Sequence, residues 1–135
     1  MRHRQAVIDR AKGCCEYCQS QLRFAMDPFS VEHIWPRSRG GKTTLENLAL
    51  SCQGCNWFKG SRVEGVDELT GQIVPLFHPR QQSWTDHFAW NPDCTVVVGL
   101  TPTGRATVTL LQLNREGLVN LRRVLYKLKL HPPVV

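Results

Sequence analysis

No apolar run in this 135-residue sequence approaches the roughly 20 residues that a membrane-crossing helix needs. The opening MRHRQAVIDRAKG lacks the apolar core of a secretory signal. The expectation is therefore a cytoplasmic protein with no membrane partner. Internal repeats and low-complexity tracts are also missing, which excludes solenoid and disordered classes. Acidic residues are in short supply: 11 Asp and Glu stand against 17 Lys and Arg, for a net charge of +6. Hydrophobic residues make up 41%, which fits a globular chain with one real core.

The basic excess is uneven. Through Arg62 there are ten Lys and Arg against five Asp and Glu; from Val63 onward there are seven against six. A basic first half suits a polyanionic partner, most often nucleic acid, although plain solubility accounts for charge as well.

Six cysteines are present. Without a secretion signal a disulfide framework is not expected. Four of the six fall into two C-x-x-C pairs, Cys15 with Cys18 and Cys52 with Cys55. One pair alone would suit redox chemistry. Two pairs in a short chain suit a closed tetrahedral zinc site, since Zn²⁺ readily takes four thiolates. Cys14 and Cys94 lack such spacing and read as ordinary buried or half-buried thiols.

Residues 4–12 read as a short helix with Ala6, Val7 and Ala11 inward and Gly13 as its stop. Phe29, Val31 and Ile34 lie in a strand bounded by Pro28 and Pro36. The loop RSRGGKTTLENL follows, turned by Gly40-Gly41, with Thr43 or Thr44 as a cap. Leu48, Ala49 and Leu50 form a second strand, and the second cysteine pair opens a helix, CNWFKGSR. A unit this small orders itself poorly by burial alone, so metal binding supplies folding free energy. Farther on, Ile73, Val74 and Leu76 suggest a strand. SWTDHFAWNPDCTVVVGL suggests a hairpin with Trp84, His87, Phe88 and Trp90 on one arm and Thr95–Val98 on the other, turning at 91–93. Thr101-Pro102 starts a helix. A last helix carries a stripe of Leu118, Leu121, Leu125 and Leu128 with Asn114 as its cap; the stripe reads as core or dimer seam.

Glu32, His33, Asn47 and Asn56 stand inside or beside the cysteine clamp. Phosphodiester cleavage needs an activated water, which a neutral histidine provides near pH 7. It also needs a hard divalent cation at the phosphate, which prefers carboxylate and amide oxygens. Glu32 and Asn56 offer one of each. Adjacent residues in an extended strand face opposite ways, so Glu32 and His33 require a bend to serve one site. Taken singly, His33 reads as a structural histidine, Glu32 as a surface acid, and the asparagines as caps.

The stretch V-E-H-I-W-P-R-S-R-G-G-x-x-x-x-E-N-L-x-x-x-C-x-x-C-N-x-x-K-G closely resembles the HNH endonuclease family, over residues 15 to 62. The resemblance implies a ββα-metal unit with a four-cysteine zinc site. It implies His33 as general base, Glu32 and Asn56 as ligands of a catalytic Mg²⁺ or Mn²⁺, and Asn47 as the brace of the histidine loop. Glutamate stands at Glu32 where the family more often has aspartate.

The expected fold is α+β: a zinc-stapled ββα-metal core over about residues 13–62, with an N-terminal helix before it. A C-terminal β-hairpin plus helices, about 63–135, packs on that core in a single 1–135 domain. The expected partner is DNA, with RNA not excluded, bound by a monomer or homodimer. Arg37, Arg39, Lys42, Lys59 and Arg62 are the candidate phosphate contacts. Trp35, Trp57 and Phe58 are expected to fill the small core. Among the other histidines, His78 in FHPR is kept as a second-line candidate for approaching DNA or metal. The competing readings are a non-catalytic zinc-ribbon nucleic-acid-binding module, which leaves Glu32-His33 without a task, and a zinc-stabilised protein-interaction module.

Overall fold

The computed structural model describes residues 2–133; Met1, Val134 and Val135 of the expected domain lie outside them. Helix α1 (Arg4–Arg10) buries Val7. Ala6, expected inward, is exposed, and Ile8, which was not expected there, packs against the core with Ala11. The chain stops being helical at Lys12 and Gly13, both with positive φ (54° and 70°).

Strands β1 (Ser30–His33) and β2 (Leu48–Ser51) pair antiparallel, with Glu32 opposite Ala49 and His33 opposite Leu48. All four residues of β2 are buried, so this short strand is covered on both faces. Helix α2 (Gln53–Lys59) follows at once, with Cys52 at its N-cap and the Cys52 Sγ accepting from the Cys55 N–H at 3.5 Å. This is the expected ββα order. The expected side-chain cap at Thr43 or Thr44 is not formed: Thr44 stands at the cap position without a side-chain bond, and Thr43 bonds to His33 instead.

The remainder adds two small antiparallel pairs and three helices. Strands β3 (Glu64–Val66) and β4 (Ile73–Pro75) form one pair. The arm expected to be wholly extended splits: Trp84–His87 form one helical turn, α3, and only Phe88–Trp90 extend as β5, paired with β6 (Val97–Gly99). Helix α4 (Pro102–Leu110) begins as its sequence dictates. The Thr101 hydroxyl accepts from the Gly104 N–H at 3.0 Å and Pro102 occupies the first turn, where its missing N–H costs nothing. A Cβ at Gly104 would lie 2.1 Å from the His87 carbonyl oxygen, so only glycine lets α4 approach α3 this closely.

Helix α5 (Glu116–Lys127) departs from expectation in two places. Its N-cap is Arg115, without a side-chain cap bond. Asn114 instead clasps Val97, accepting from its N–H at 2.7 Å and donating to its carbonyl at 2.8 Å. Leu118 and Leu125 are buried, but Leu128 is 62% exposed, and a charged residue, Arg122, is buried beside them. Its guanidinium satisfies the carbonyls of Thr95, Leu113 and Cys18, which is how a buried cation is tolerated. No helix among the described residues is long and apolar enough to cross a membrane.

One apolar cluster runs from Val7, Tyr17, Phe29 and Leu48 through Phe77 and Phe88 to Leu111 and Leu118. The expected contribution of two tryptophans to it is absent: Trp57 is 80% exposed and Trp35 46% exposed. Trp57 lies on the outer side of α2, which is too short to bury a second face, and Trp35 stands in the loop after β1, its indole N–H donating to the Arg39 carbonyl at 2.9 Å. Phe77, Phe88 and Trp84 supply the aromatic packing instead, with ring centroids 5.1–5.2 Å apart.

Candidate functional site

The thiolate cluster comes first, because it sets the ends of the unit. Cys15, Cys18, Cys52 and Cys55 are all buried, and their sulfurs lie within 4.8 Å of one another. Four sulfurs at about 2.3 Å from a central Zn²⁺ would sit about 3.8 Å apart; Cys18 and Cys52 are 3.6 Å apart. The donor set fits a tetrahedral zinc. Burial pushes the Cys15 thiol up, while hydrogen bonds from Cys15, Cys18 and Cys55 pull Cys52 down. Arg115, from outside the ββα unit, donates to Cys52 Sγ at 3.2 Å and to Cys55 Sγ at 3.6 Å. This guanidinium is a partner that spacing alone does not reveal, because it lies 60 residues beyond Cys55.

Glu32, His33 and Asn56 line one open cleft of about 290 Å³, together with Pro36, Arg37 and Gly60. Glu32 and His33 both lie within β1, so their side chains leave opposite faces of the strand, while both residues line the cleft at its end. Glu32 is buried, not solvated. Its Oε1 accepts from the Tyr17 hydroxyl, and its Oε2 lies 3.2 Å from Lys59 Nζ. Burial raises the Glu32 pKa, opposed by Lys59 and the Tyr17 bond. Each carboxylate oxygen retains a second acceptor position, so the group can still meet a cation across the cleft. The Tyr17 contact was not foreseen; its position two residues after Cys15 is the only sequence hint.

Lys59 corrects the expected set of phosphate contacts. It is 2% exposed, and its ammonium donates to the Ile34 carbonyl at 3.0 Å as well as pairing with Glu32. The strong need of a buried ammonium for oxygen partners explains the difference. Arg37, Arg39, Lys42 and Arg62 are exposed and remain available to a polyanion.

His33 Nε2 lies 2.8 Å from the Thr43 hydroxyl. Burial, and then the nearby Arg37, lower its pKa, so the ring favours its neutral form. Asn47 ties the following loop closed. Its Oδ1 accepts from the Trp35 N–H at 2.8 Å, and its Nδ2 donates to the carbonyls of Trp35 and Lys42 at 3.0 and 2.9 Å. Gly41 completes this closure: a Cβ there would lie 1.7 Å from the Trp35 carbonyl oxygen. Gly40, at φ 86°, takes the left-handed turn before it.

With that geometry in place, comparison with known families gives one match: residues 15–62 fit the HNH endonuclease family. This segment is an HNH unit. The match stops at Arg62. Neither curated proteins nor solved structures return a match. The HNH segment thus carries the cysteine clamp, the cleft and the braced loop, and it places this part of the chain among nucleases in general. His78 lies outside the segment and does not line the cleft of Glu32, His33 and Asn56.

Proposed function

We propose that the HNH segment hydrolyses DNA phosphodiester bonds with the help of a divalent cation. The observation that carries this reading is the convergence of Glu32, His33 and Asn56 on one cleft, beside a loop that Asn47 holds at three points. Glu32 and Asn56 are the residues that would hold Mg²⁺ or Mn²⁺. When bound, such an ion supplies charge for the scissile phosphate and the leaving oxygen.

The chain's own residues do the rest. His33, kept neutral by burial and Arg37, takes a proton from water that attacks in line. Thr43, at 2.8 Å from Nε2, orients the imidazole. Asn47 keeps the loop between Trp35 and Lys42 from moving the base. Tyr17 and Lys59 fix the Glu32 carboxylate, so its orientation does not depend on the cation arriving. Arg37, Arg39, Lys42 and Arg62 hold the phosphate backbone without reading sequence. Zinc in the cysteine clamp would be structural, because thiolates fill all four positions.

The specific alternative is a zinc-ribbon binder without catalysis. It is favoured by the same Glu32–Lys59 ion pair, which satisfies the carboxylate without any cation. Plasmid nicking by the pure protein separates the two, with Mg²⁺, Mn²⁺, Zn²⁺ or chelator added. A nuclease nicks with one of the cations, and His33→Ala lowers the rate by about 10²–10⁴-fold while DNA binding persists. Binding with no nicking under any cation establishes the alternative.

A further inference from the structure

A second, larger cavity of about 610 Å³ opens between the HNH segment and the residues after it. Ile34, Trp35, Asn47 and Lys59 wall one side; Pro75, Leu76, Phe77 and His78 wall the other. Its floor is apolar and aromatic, since Ile34, Leu76 and Phe77 are buried. Its rim is polar. His78 Nδ1 accepts from the backbone N–H groups of Arg80 and Gln81 at 3.2 and 3.3 Å. The ring proton is therefore on Nε2, which has no partner among the described residues. Gln82 Oε1 accepts from the His78 N–H at 2.9 Å, which leaves its amide Nε2 as a free donor. The Glu46 carboxylate, also on the wall, has no hydrogen-bond partner among the described residues and is a free acceptor.

This combination selects one kind of occupant. A flat group with apolar faces and a mixed donor–acceptor edge uses every part of the cavity. A bare phosphate is repelled by Glu46, and an aliphatic chain leaves the rim donors idle. A nucleobase has those faces and that edge, and pockets of roughly 300–1,000 Å³ suit such ligands. Trp35, 46% exposed, stands at the wall as a stacking surface. The sequence order supplies the phosphates' path: Trp35 is directly followed by the loop bearing Arg37, Arg39 and Lys42, and His33 precedes it by two residues.

We propose that this cavity receives one unstacked nucleobase of the substrate strand, recognised by His78, Gln82 and Glu46. The inference rests on reading residues 15–62 as a nuclease segment. It assigns the residues after Arg62 a share in substrate recognition, and it requires the strand to be single or locally opened.

The test uses the zinc-loaded full chain carrying His33→Ala, without added Mg²⁺ or Mn²⁺. The probe is a single-stranded oligonucleotide containing 4-thiothymidine, crosslinked by long-wave ultraviolet light and mapped by peptide mass spectrometry. Crosslinks are expected at Trp35, Phe77, His78 or Gln82, beside others in the loop 37–42. His78 also caps its own turn, so the cavity is blocked instead with Val63→Trp, a lining position; its folding is checked by melting and zinc content. That variant should lose the cavity crosslinks at least fivefold and keep those of the loop. Crosslinks confined to the loop, or unchanged by Val63→Trp, overturn the inference while leaving the nuclease reading intact. Failure to retain the single strand even at low salt also overturns the inference, whereas failure to bind or nick duplex plasmid under any cation removes the nuclease reading and the inference with it.

Discussion

The HNH segment and the residues after Arg62 share one apolar cluster but differ in what is added to it. In the segment, Tyr17, Phe29, Ile34 and strand β2 join the apolar cluster, and polar contacts are added to that packing: four sulfurs within 4.8 Å, the Tyr17–Glu32–Lys59 cluster and the Asn47 clasp. After Arg62, order comes from ordinary packing of Phe77, Phe88, Val97, Leu111 and Leu113, with one buried ion pair between Asp67 and Arg105 at 2.9 Å. A metal-ordered unit can place a carboxylate, an imidazole and an amide on a short hairpin and helix. A packing-ordered unit cannot do so cheaply, because each polar group would displace core. The two parts meet through Arg115, Arg122 and Arg80, whose guanidinium pairs with Glu16.

The sharpest way to break this contrast is to remove the metal. Structural zinc in small peptides contributes about 10–16 kcal/mol of binding free energy, comparable to or larger than the about 5–15 kcal/mol that a whole domain has to spare. Cys52→Ser, or a strong chelator, should therefore unfold the HNH segment, seen as loss of zinc by elemental analysis and collapse of the cooperative melt. If the melt stays unchanged without zinc, packing alone orders both regions. Next in size are two substitutions of opposite kind. Lys59→Met strands the buried Glu32 carboxylate and should cost about 3–5 kcal/mol. Leu111→Ala, in a fully buried site, should cost about 2–5 kcal/mol. Denaturant unfolding of the zinc-loaded chain with and without Mg²⁺ or Mn²⁺ distinguishes them, since both changes lower stability but only the Lys59 change alters the cleft's cation dependence.

Arg115→Ala tests the join. Losing an outer partner of metal ligands typically weakens a site 10–100-fold, so zinc release to a chromogenic chelator should accelerate by about that factor, with Arg115→Lys in between. Release at the native rate would show that the guanidinium only packs. The smallest effect concerns acid. Asp67 accepts bonds from Arg105, Thr70 and the Leu69 N–H, and the Arg105 bond above all holds its carboxyl at about 2. A depressed folded pKa means that this contribution is complete above the unfolded value of about 3.9 and is lost as pH falls through 2. Asp67→Asn should thus lower the urea midpoint by a constant amount above pH 5, with the gap closing toward pH 2. A gap that persists at pH 2 contradicts the ion-pair origin.

Much of the HNH segment is legible in the sequence, because metal ligands and turn glycines act through spacing. Two C-x-x-C pairs announce the cluster, and Gly40-Gly41 with Asn47 announce the closed loop. What escaped is of another sort. Lys59 reads like Arg37 or Arg62, and only its tertiary position, beneath Ile34 and against Glu32, shows that it is interior. Tyr17 hides between two cysteines and reads as filler. Trp57 reads as core because it is large and apolar, yet α2 is too short to bury a second face. In the latter part of the chain, the Thr101-Pro102 start found α4 and leucine periodicity found α5, but neither found the split of the 84–90 arm, where α3 and β5 share seven residues. Long-range partners such as Arg115 leave no local trace at all.

The sulfur contacts of Arg115 also bear on the order of events during synthesis. Cys55 leaves the ribosome 60 residues before its guanidinium partner. A nascent chain therefore holds a complete set of thiolates while the charge that quiets them is still untranslated. If Arg115→Ala releases zinc faster, metal captured at that stage is expected to exchange faster than in the finished protein as well.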